Sequence, residues 1–257
     1  MTVSPEFDST ILGAIDHRPW PMPTAPWVMT QSWHDLLFAH WPVDASVLAA
    51  HIPSAFRVDT FDGTAWVGVV PFRMSNVAPR GVPALPWLSA FPELNVRTYV
   101  RMEDKPGVYF FSLDATNPVA VKAARRFFHL PYYSAEMTLE DRDDRIHYRS
   151  RRMSQPAAEL IASYRPIAPP GAPRRGALEY FLTERYCLYT LDRRGRPARC
   201  EIHHPAWPLQ TAEADIAVNT MASAGLELPH LPPLLHFSRR QDVVVWPLTP
   251  VDGSRAG

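Results

Sequence analysis

The chain has 257 residues, and its 26 basic and 26 acidic side chains give a formal net charge of zero at pH 7. This balance excludes the overall electrostatic field that attracts nucleic acid or anionic lipid, although local patches remain possible. The two cysteines are too few for a disulfide framework or a four-thiolate metal site.

No apolar run approaches the roughly 18 residues of a membrane span, and the chain opens without the basic start and apolar stretch of a signal peptide. We therefore expect a cytoplasmic protein with neither a membrane nor a nucleic-acid partner. Proline is abundant, at 28 residues, which disfavours long helices and suits short strands joined by turns.

Prolines break any periodicity near the start of the chain, so residues 1–19 are predicted to form an extended arm. Residues 20–250 are expected to form a single β-rich domain, because no segment between them is long enough to fold alone. Residues 251–257 are predicted to be a disordered tail.

Hairpin signals recur along this domain. Asp62 and Gly63 favour the positive φ angles of a tight turn between the β-rich runs 56–61 and 64–72. Three further strand pairs are predicted, joining 93–102 to 107–115, 134–140 to 145–153, and 178–191 to 198–209.

Helix signals are fewer. Asp44 is a suitable N-cap for a short helix, and Asn117 with Pro118 is suited to begin another that runs to about Leu130. Residues 211–226 fit a third helix closed by Gly225. The fold class is therefore α+β, mostly β, with antiparallel hairpins that form a β-barrel or curved sheet and two or three peripheral helices.

One predicted strand alternates polar and apolar side chains. Glu93, Asn95 and Arg97 share one of its faces, because successive strand residues point to opposite sides. Matching the apolar side chains of this strand with those of the next places Ser112 and Asp114 beside the three polar residues. The sequence thus predicts one sheet face with two carboxylates, an arginine, an amide and a hydroxyl.

Two interpretations of that polar face stay open. It is either a solvated outer face, whose ion pairs contribute about 0 to 1 kcal/mol each, or the wall of a partly enclosed site framed by aromatic residues. In an enclosed site Arg97 would bind a carboxylate through two hydrogen bonds, and burial would raise the pKa of Glu93 into a range suited to proton exchange.

Other chemistry has weaker support in the sequence. His34 and His40 lie about 20 Å apart along one strand, too far to share a metal ion. Cys187 and Cys200 are interpreted as structural thiols. No Gly-rich phosphate loop and no nucleophile elbow of the G-x-S-x-G type occur. We therefore predict no metal and no cofactor.

Several stretches are familiar, among them "FDGTAWVGVVPF", "ELNVRTYV", "LPYYSAEM" and "IHHPAWPL". Together the chain resembles the YqjF-like family of unknown function (domain of unknown function 2071) over about residues 20–250. The resemblance implies the acetoacetate decarboxylase fold, a mostly antiparallel, barrel-like domain with a central cavity.

The resemblance also implies a test of chemistry, because acetoacetate decarboxylases work through a Schiff base on a lysine whose pKa is lowered. Tyr132 and Tyr133 stand here where that superfamily carries two lysines, and Lys105 and Lys122, the chain's only lysines, are not convincing substitutes. The same rough alignment places Glu93 at a pocket glutamate. It also places His34 near a pocket arginine.

These observations predict a cavity for a small carboxylate- or carbonyl-bearing organic molecule, with proton transfer by Glu93 and no Schiff-base decarboxylation. The other expected ligand-binding residues are Arg97, Asn95, Ser112, Asp114, Tyr132, Tyr133 and His34. A non-catalytic binding or sensor protein and a structural interaction domain are the alternatives, and a homo-oligomer stays open.

Overall fold

The computed structural model describes residues 6–84, 89–222 and 226–251. The strands are β1 (Met29–Val43), β2 (Arg57–Val58), β3 (Ala65–Pro79), β4 (Phe91–Met102), β5 (Lys105–Ala115), β6 (Tyr132–Arg142), β7 (Arg145–Arg152), β8 (Glu159–Pro166), β9 (Cys187–Leu191), β10 (Pro197–His203), β11 (Gln210–Asn219) and β12 (Leu234–Pro250). The α-helices in these ranges are α1 (Ala45–Ala49), α2 (Pro118–Phe127) and α3 (Leu178–Thr183), and a 3₁₀ helix covers Ser9–Gly13. The mostly β, α+β class predicted from the sequence is confirmed.

The strands form one large curved sheet. Within it, β1, β3, β4, β5, β9, β10 and β12 pair in a closed circuit, since β4 pairs with β5 and β10 pairs with β12 in addition to the linear strand order. Most pairs are antiparallel, as predicted. The exceptions are the short parallel pairings of β5 with β6 and with β9.

Of the other five strands, β2 pairs with β4 at the edge, and β6, β7, β8 and β11 leave the circuit at β5 and rejoin it at β12. These last four strands cover the outer face of β1, β3 and β4, and the largest apolar cluster lies between the two layers. Leu94 and Val96 of β4 belong to that cluster, together with Tyr148 of β7. Consequently β4 is buried on both faces.

Tyrosines of the outer layer tie it to the circuit. The Tyr148 hydroxyl donates to the Glu93 carbonyl at 2.7 Å, and the Tyr164 hydroxyl donates to the Asp35 carbonyl at 2.9 Å. Asp35 has a positive φ of 53° at an irregularity of β1. The second hydroxyl therefore satisfies a carbonyl where the ladder of β1 is interrupted.

Two predicted helices are confirmed with their caps. The Asp44 carboxylate accepts from the backbone N–H groups of Ser46 and Val47 at the start of α1. The Asn117 side chain does the same for α2, where Pro118 occupies the first turn. None of the described helices is long and apolar enough to cross a membrane.

The helix predicted for residues 211–226 is wrong over its described part. Gln210–Asn219 is strand β11, which pairs with β8. Ala212, Ala214 and Ile216 pack towards the core, while the alternate residues point outward. This period of two shows that pairing with β8 overrides the helix propensity of alanine.

Two strand predictions also change. Residues 178–191 begin as helix α3 before strand β9, and β2 pairs with β4 instead of β3. The turn between Phe61 and Thr64 is present as expected, with positive φ at both Asp62 and Gly63.

The predicted extended arm, residues 1–19, contains a 3₁₀ helix in its described part. Ile11 of this helix packs against Val244 and Trp246 of β12, so the arm lies on the circuit of strands. Of the predicted tail, residues 252–257 lie outside the described residues.

A buried ion pair joins the two layers. The Arg152 guanidinium of β7 donates to both carboxylate oxygens of Asp114 on β5, each at 2.7 Å, and the two side chains are 2% and 0% exposed. The adjacent Arg151 pairs with Glu136 at the surface, where both side chains are more than half exposed.

Replacing Arg152 by Met should lower the free energy of unfolding by about 3 to 5 kcal/mol, because Asp114 would stay buried without its partner. Arg151→Met is the matched control, with an expected loss of about 0 to 1 kcal/mol. Urea unfolding measures both changes. If both variants lose the same small amount of unfolding free energy, the buried Asp114–Arg152 pair does not stabilise the protein as described.

Candidate functional site

The closed circuit of strands encloses a cavity of about 190 Å³. This is below the 300 to 1,000 Å³ that is typical of pockets for drug-sized ligands, so the space suits a small molecule. β4 contributes Glu93, Asn95 and Arg97 to its wall. The cavity reaches the surface beside α2, where Ala123 is both exposed and part of the lining.

Glu93 is 3% exposed, and its Oε2 accepts a hydrogen bond from the Tyr132 hydroxyl at 2.9 Å. Burial raises the pKa of Glu93 to about 8, the charge of Asp114 adds to this effect, and the bond from Tyr132 opposes it. The carboxyl is therefore mostly neutral at pH 7. Tyr132 donates to Oε2, so this bond leaves Oε1 free to carry the proton.

Arg97 is a buried cation without a carboxylate beside it among the described residues. Its Nη2 donates to the Leu182 carbonyl at 3.3 Å, and Nε has no hydrogen-bond partner. The guanidinium lies 5.2 Å from the ring centre of Phe38 and 5.7 Å from that of Tyr99. Aromatic faces offset only part of the desolvation of a buried cation, so the site favours an anionic partner.

Arg97 lies in a closely packed group with Gly68, His40 and Tyr99. His40 Nε2 lies 2.6 Å from the Tyr99 hydroxyl, which donates to the Leu182 carbonyl at 2.6 Å. Gly68 pairs with Arg97 across β3 and β4. A Cβ at Gly68 would lie 3.0 Å from the His40 ring and 3.4 Å from Arg97 Cγ. A glycine inside a strand signals close approach of another group, so Gly68 is the sequence feature from which this arrangement could have been predicted.

Two further buried polar atoms in the lining have no hydrogen-bond partner in the described part of the chain. They are Oδ1 of Asn95, an acceptor, and Nε1 of Trp207, a donor. Unpaired polar atoms are rare in protein interiors because each costs about 1 to 3 kcal/mol. Both side chains line the cavity, so its wall carries polar atoms that the described protein leaves unpaired.

The predicted placement of Ser112 and Asp114 is wrong. In the observed register Val96 lies opposite Ser112 and Leu94 lies opposite Asp114, so both side chains point to the outer layer. Since β4 is buried on both faces, matching apolar residues did not determine which face carries the cavity. A register different by one residue exchanges the two faces.

His34 and Tyr133 also lie outside the cavity, contrary to prediction. His34 Nε2 lies 2.7 Å from Ser75 Oγ, and burial lowers the pKa of His34 to about 4. The Tyr133 ring stacks under the Arg152 guanidinium, 4.0 Å away. Of the eight predicted site residues, the cavity lining contains Glu93, Asn95, Arg97 and Tyr132.

Neither lysine lines the cavity. Lys105 Nζ donates to both carboxylate oxygens of Glu201, at 2.7 and 2.9 Å, and Lys122 is exposed on α2. No group of three or more His, Cys, Asp or Glu side chains in the described ranges could hold a metal ion. The groups available for chemistry on β4 are thus a neutral carboxyl, an amide and a guanidinium.

The fold is that of acetoacetate decarboxylase. The structure aligns with the acetoacetate decarboxylase of Legionella pneumophila at a TM-score of 0.63 and 14% identity, covering 99% of this chain and 100% of that chain. For an acetoacetate decarboxylase-like enzyme from Sphingomonas wittichii the values are 0.60 and 12%, covering 92% of this chain and 98% of that one. The enduracididine biosynthesis enzyme MppR, complexed with pyruvate, gives 0.60 and 10%, over 90% and 93%. Identities this low establish the fold alone.

Sequence comparison gives the family. The profile of DUF2071, described as an uncharacterized conserved protein, matches residues 30–242. The uncharacterized protein YqjF of Bacillus subtilis is 50% identical over 228 residues, which cover 88% of this chain and 94% of YqjF. The chain therefore belongs to the DUF2071 family, as the resemblance implied.

The protonation of Glu93 should make stability depend on pH. Between pH 4.5, the ordinary pKa of the group, and about 8, its pKa in the folded chain, only the unfolded chain releases this proton. The free energy of unfolding should therefore fall as pH rises, by up to about 1.4 kcal/mol per pH unit from this group. Glu93→Gln should remove this fall, as measured by urea unfolding at several pH values.

The exposed substitution Glu136→Gln serves as the control and should keep the wild-type slope. A Glu93→Gln protein with the same slope as wild type would contradict the raised pKa.

Gly68→Ala should destabilise the protein by about 1 to 3 kcal/mol, because His40 is stacked on Phe38 and bonded to Tyr99 and has little room to move. Gly171→Ala, where a Cβ meets no atom within 4 Å, is the control. Thermal unfolding compares the two variants. Equal midpoints would show that the wall at Gly68 is less tightly packed than described.

Proposed function

We propose that the protein binds a small carboxylate- or carbonyl-bearing organic molecule in this cavity and that Glu93 exchanges a proton with it. The observation that carries this proposal is that two different groups lie on one buried face of β4. The Arg97 guanidinium has no carboxylate partner in the described ranges, and the Glu93 carboxyl is mostly neutral. No ion pair joins Arg97 to Glu93 among the described contacts. A ligand between them would therefore meet a cation at one end and an acid at the other.

The residues have distinct roles in this proposal. Arg97 binds the carboxylate or carbonyl oxygen and stabilises negative charge that develops there. In its ionised form Glu93 removes a proton from the carbon next to the carbonyl, and the resulting carboxyl group returns a proton to that carbon. A pKa of about 8 suits both steps near neutral pH. Tyr132 orients the carboxyl through Oε2.

The absence of a lysine from the cavity supports proton transfer without a Schiff base. The ligand class agrees with the solved complex of MppR with pyruvate, a small carbonyl acid bound by a protein of the same fold. The cytoplasmic location and the absence of nucleic-acid and membrane partners remain predictions, and a homo-oligomer stays open.

Deuterium exchange tests the proposal. Short 2-oxo and 3-oxo acids are incubated with the protein in D₂O, and NMR follows the loss of the C–H signal next to the carbonyl. Wild type should exceed the uncatalysed rate, and the rate should rise with pH to a midpoint near 8, where Glu93 ionises. In Glu93→Gln the rate enhancement should fall about 10²- to 10⁴-fold. The same acid should still bind this variant and raise its unfolding temperature, which a thermal-shift assay measures.

In Arg97→Gln the acid should no longer raise the unfolding temperature, because the group that binds its carboxylate is gone. The exposed substitution Glu136→Gln should behave as wild type in both the exchange and the thermal-shift assays. Exchange at the wild-type rate in Glu93→Gln would refute the role of Glu93. If the acid raises the unfolding temperature of the wild-type protein but no exchange is catalysed, the protein binds the acid without acting as an enzyme. A covalent adduct trapped by borohydride would refute the absence of Schiff-base chemistry.

A further inference from the structure

The polar side chains that line the cavity away from β4 and Tyr132 already have partners in the protein, apart from the indole of Trp207. Gln31 accepts from Trp33 Nε1 at 2.8 Å, and Thr183 donates to the Glu179 carbonyl at 2.7 Å. Arg185 forms an ion pair with Asp59 at 2.7 Å. His204 Nε2 lies 3.2 Å from the Arg185 carbonyl. These groups therefore offer little to a ligand. The polar groups that remain available are those of β4, the Tyr132 hydroxyl and the Trp207 indole.

The wall farthest from β4 is apolar. In the circuit of strands, β10 and β12 lie across from β4, and they contribute Ile202, Cys200 and Val245 to the lining. Burial raises the pKa of the Cys200 thiol, so it stays uncharged. Around the opening, α2 and the residues after it add Ala124 and Phe128.

The cavity is thus polar along one strand and apolar on the facing wall. A ligand composed only of polar groups would bring unpaired oxygens against Ile202, Val245 and Phe128, at a cost in desolvation. A ligand with an apolar part would instead remove apolar surface from water on both sides. The volume of about 190 Å³ has room for roughly six water-sized groups, which corresponds to a carboxyl group and a chain of about four to five carbons.

We propose that the ligand is amphipathic, with an oxygen-bearing head at Arg97 and Asn95 and a short aliphatic chain against the wall formed by β10, β12 and α2. This inference rests on the proposed function for the position of the head group. It adds the substrate class, a medium-length carboxylic acid in place of a short, largely polar acid such as pyruvate. Chain length then determines which acid binds.

A series of straight-chain carboxylates tests this proposal. The Kd of acetate, butyrate, hexanoate and octanoate is measured by calorimetry on the wild-type protein. Each added methylene should tighten binding about fourfold, since burying one contributes about 0.8 kcal/mol. The gain should end near hexanoate, where the cavity is full, and octanoate should bind no more tightly than hexanoate. Lactate should bind more weakly than butyrate.

Ala124→Leu should shift the best chain length down by one or two carbons, because the larger side chain occupies the apolar end. Val119→Leu, on the same helix at a position that is 55% exposed and outside the lining, should leave the series unchanged. If Ala124→Leu unfolds, the wild-type series alone still decides the question.

Affinity that does not change with chain length, lactate binding more tightly than butyrate, or no binding by any acid of the series would overturn this inference. These results are independent of the deuterium-exchange assay. If affinity depends on chain length but no exchange is catalysed, proton transfer is rejected and the amphipathic ligand is supported. If short oxo acids exchange but the affinity of the carboxylates does not change with chain length, proton transfer is supported and the amphipathic ligand is rejected.

Discussion

Burial of Glu93 against the Tyr132 hydroxyl is the constraint on which the character of the cavity depends. In water this carboxyl would be ionised at pH 7, but inside the closed circuit of strands the cost of an unpaired charge exceeds the contribution of one hydrogen bond. The carboxyl is then neutral and Arg97 carries the net charge of this strand face. An anionic or carbonyl-bearing molecule is the natural complement to that combination.

The outer layer makes this arrangement possible. β4 is buried on both faces because β6, β7, β8 and β11 cover the circuit, and the Asp114–Arg152 pair lies between the layers. Tyr148 anchors the backbone of Glu93 from the same layer. The polar residues of β4 are therefore held by rigid strands on each side, as precise positioning of a binding site requires.

Local chemistry in the sequence predicts many of the elements correctly. The caps of α1 and α2 and the hairpin of β6 and β7, with positive φ at Asp143 and Asp144, depend on residues close in the chain. The alternation of Glu93, Asn95 and Arg97 likewise predicts their common face. The register that turns Ser112 and Asp114 away depends instead on which buried face encloses the cavity. Adjacent tyrosines point to opposite sides, and nothing local selects Tyr132 over Tyr133.

A direct titration of Glu93 tests the central claim. Carbon-detected NMR of the side-chain carboxyl, assigned by comparison with Glu93→Gln, reports its protonation as pH is varied. We expect a midpoint near 8 in the folded protein. A midpoint near the ordinary value of 4.5 would show that the carboxyl is charged at neutral pH and would contradict the neutral form of Glu93 described above.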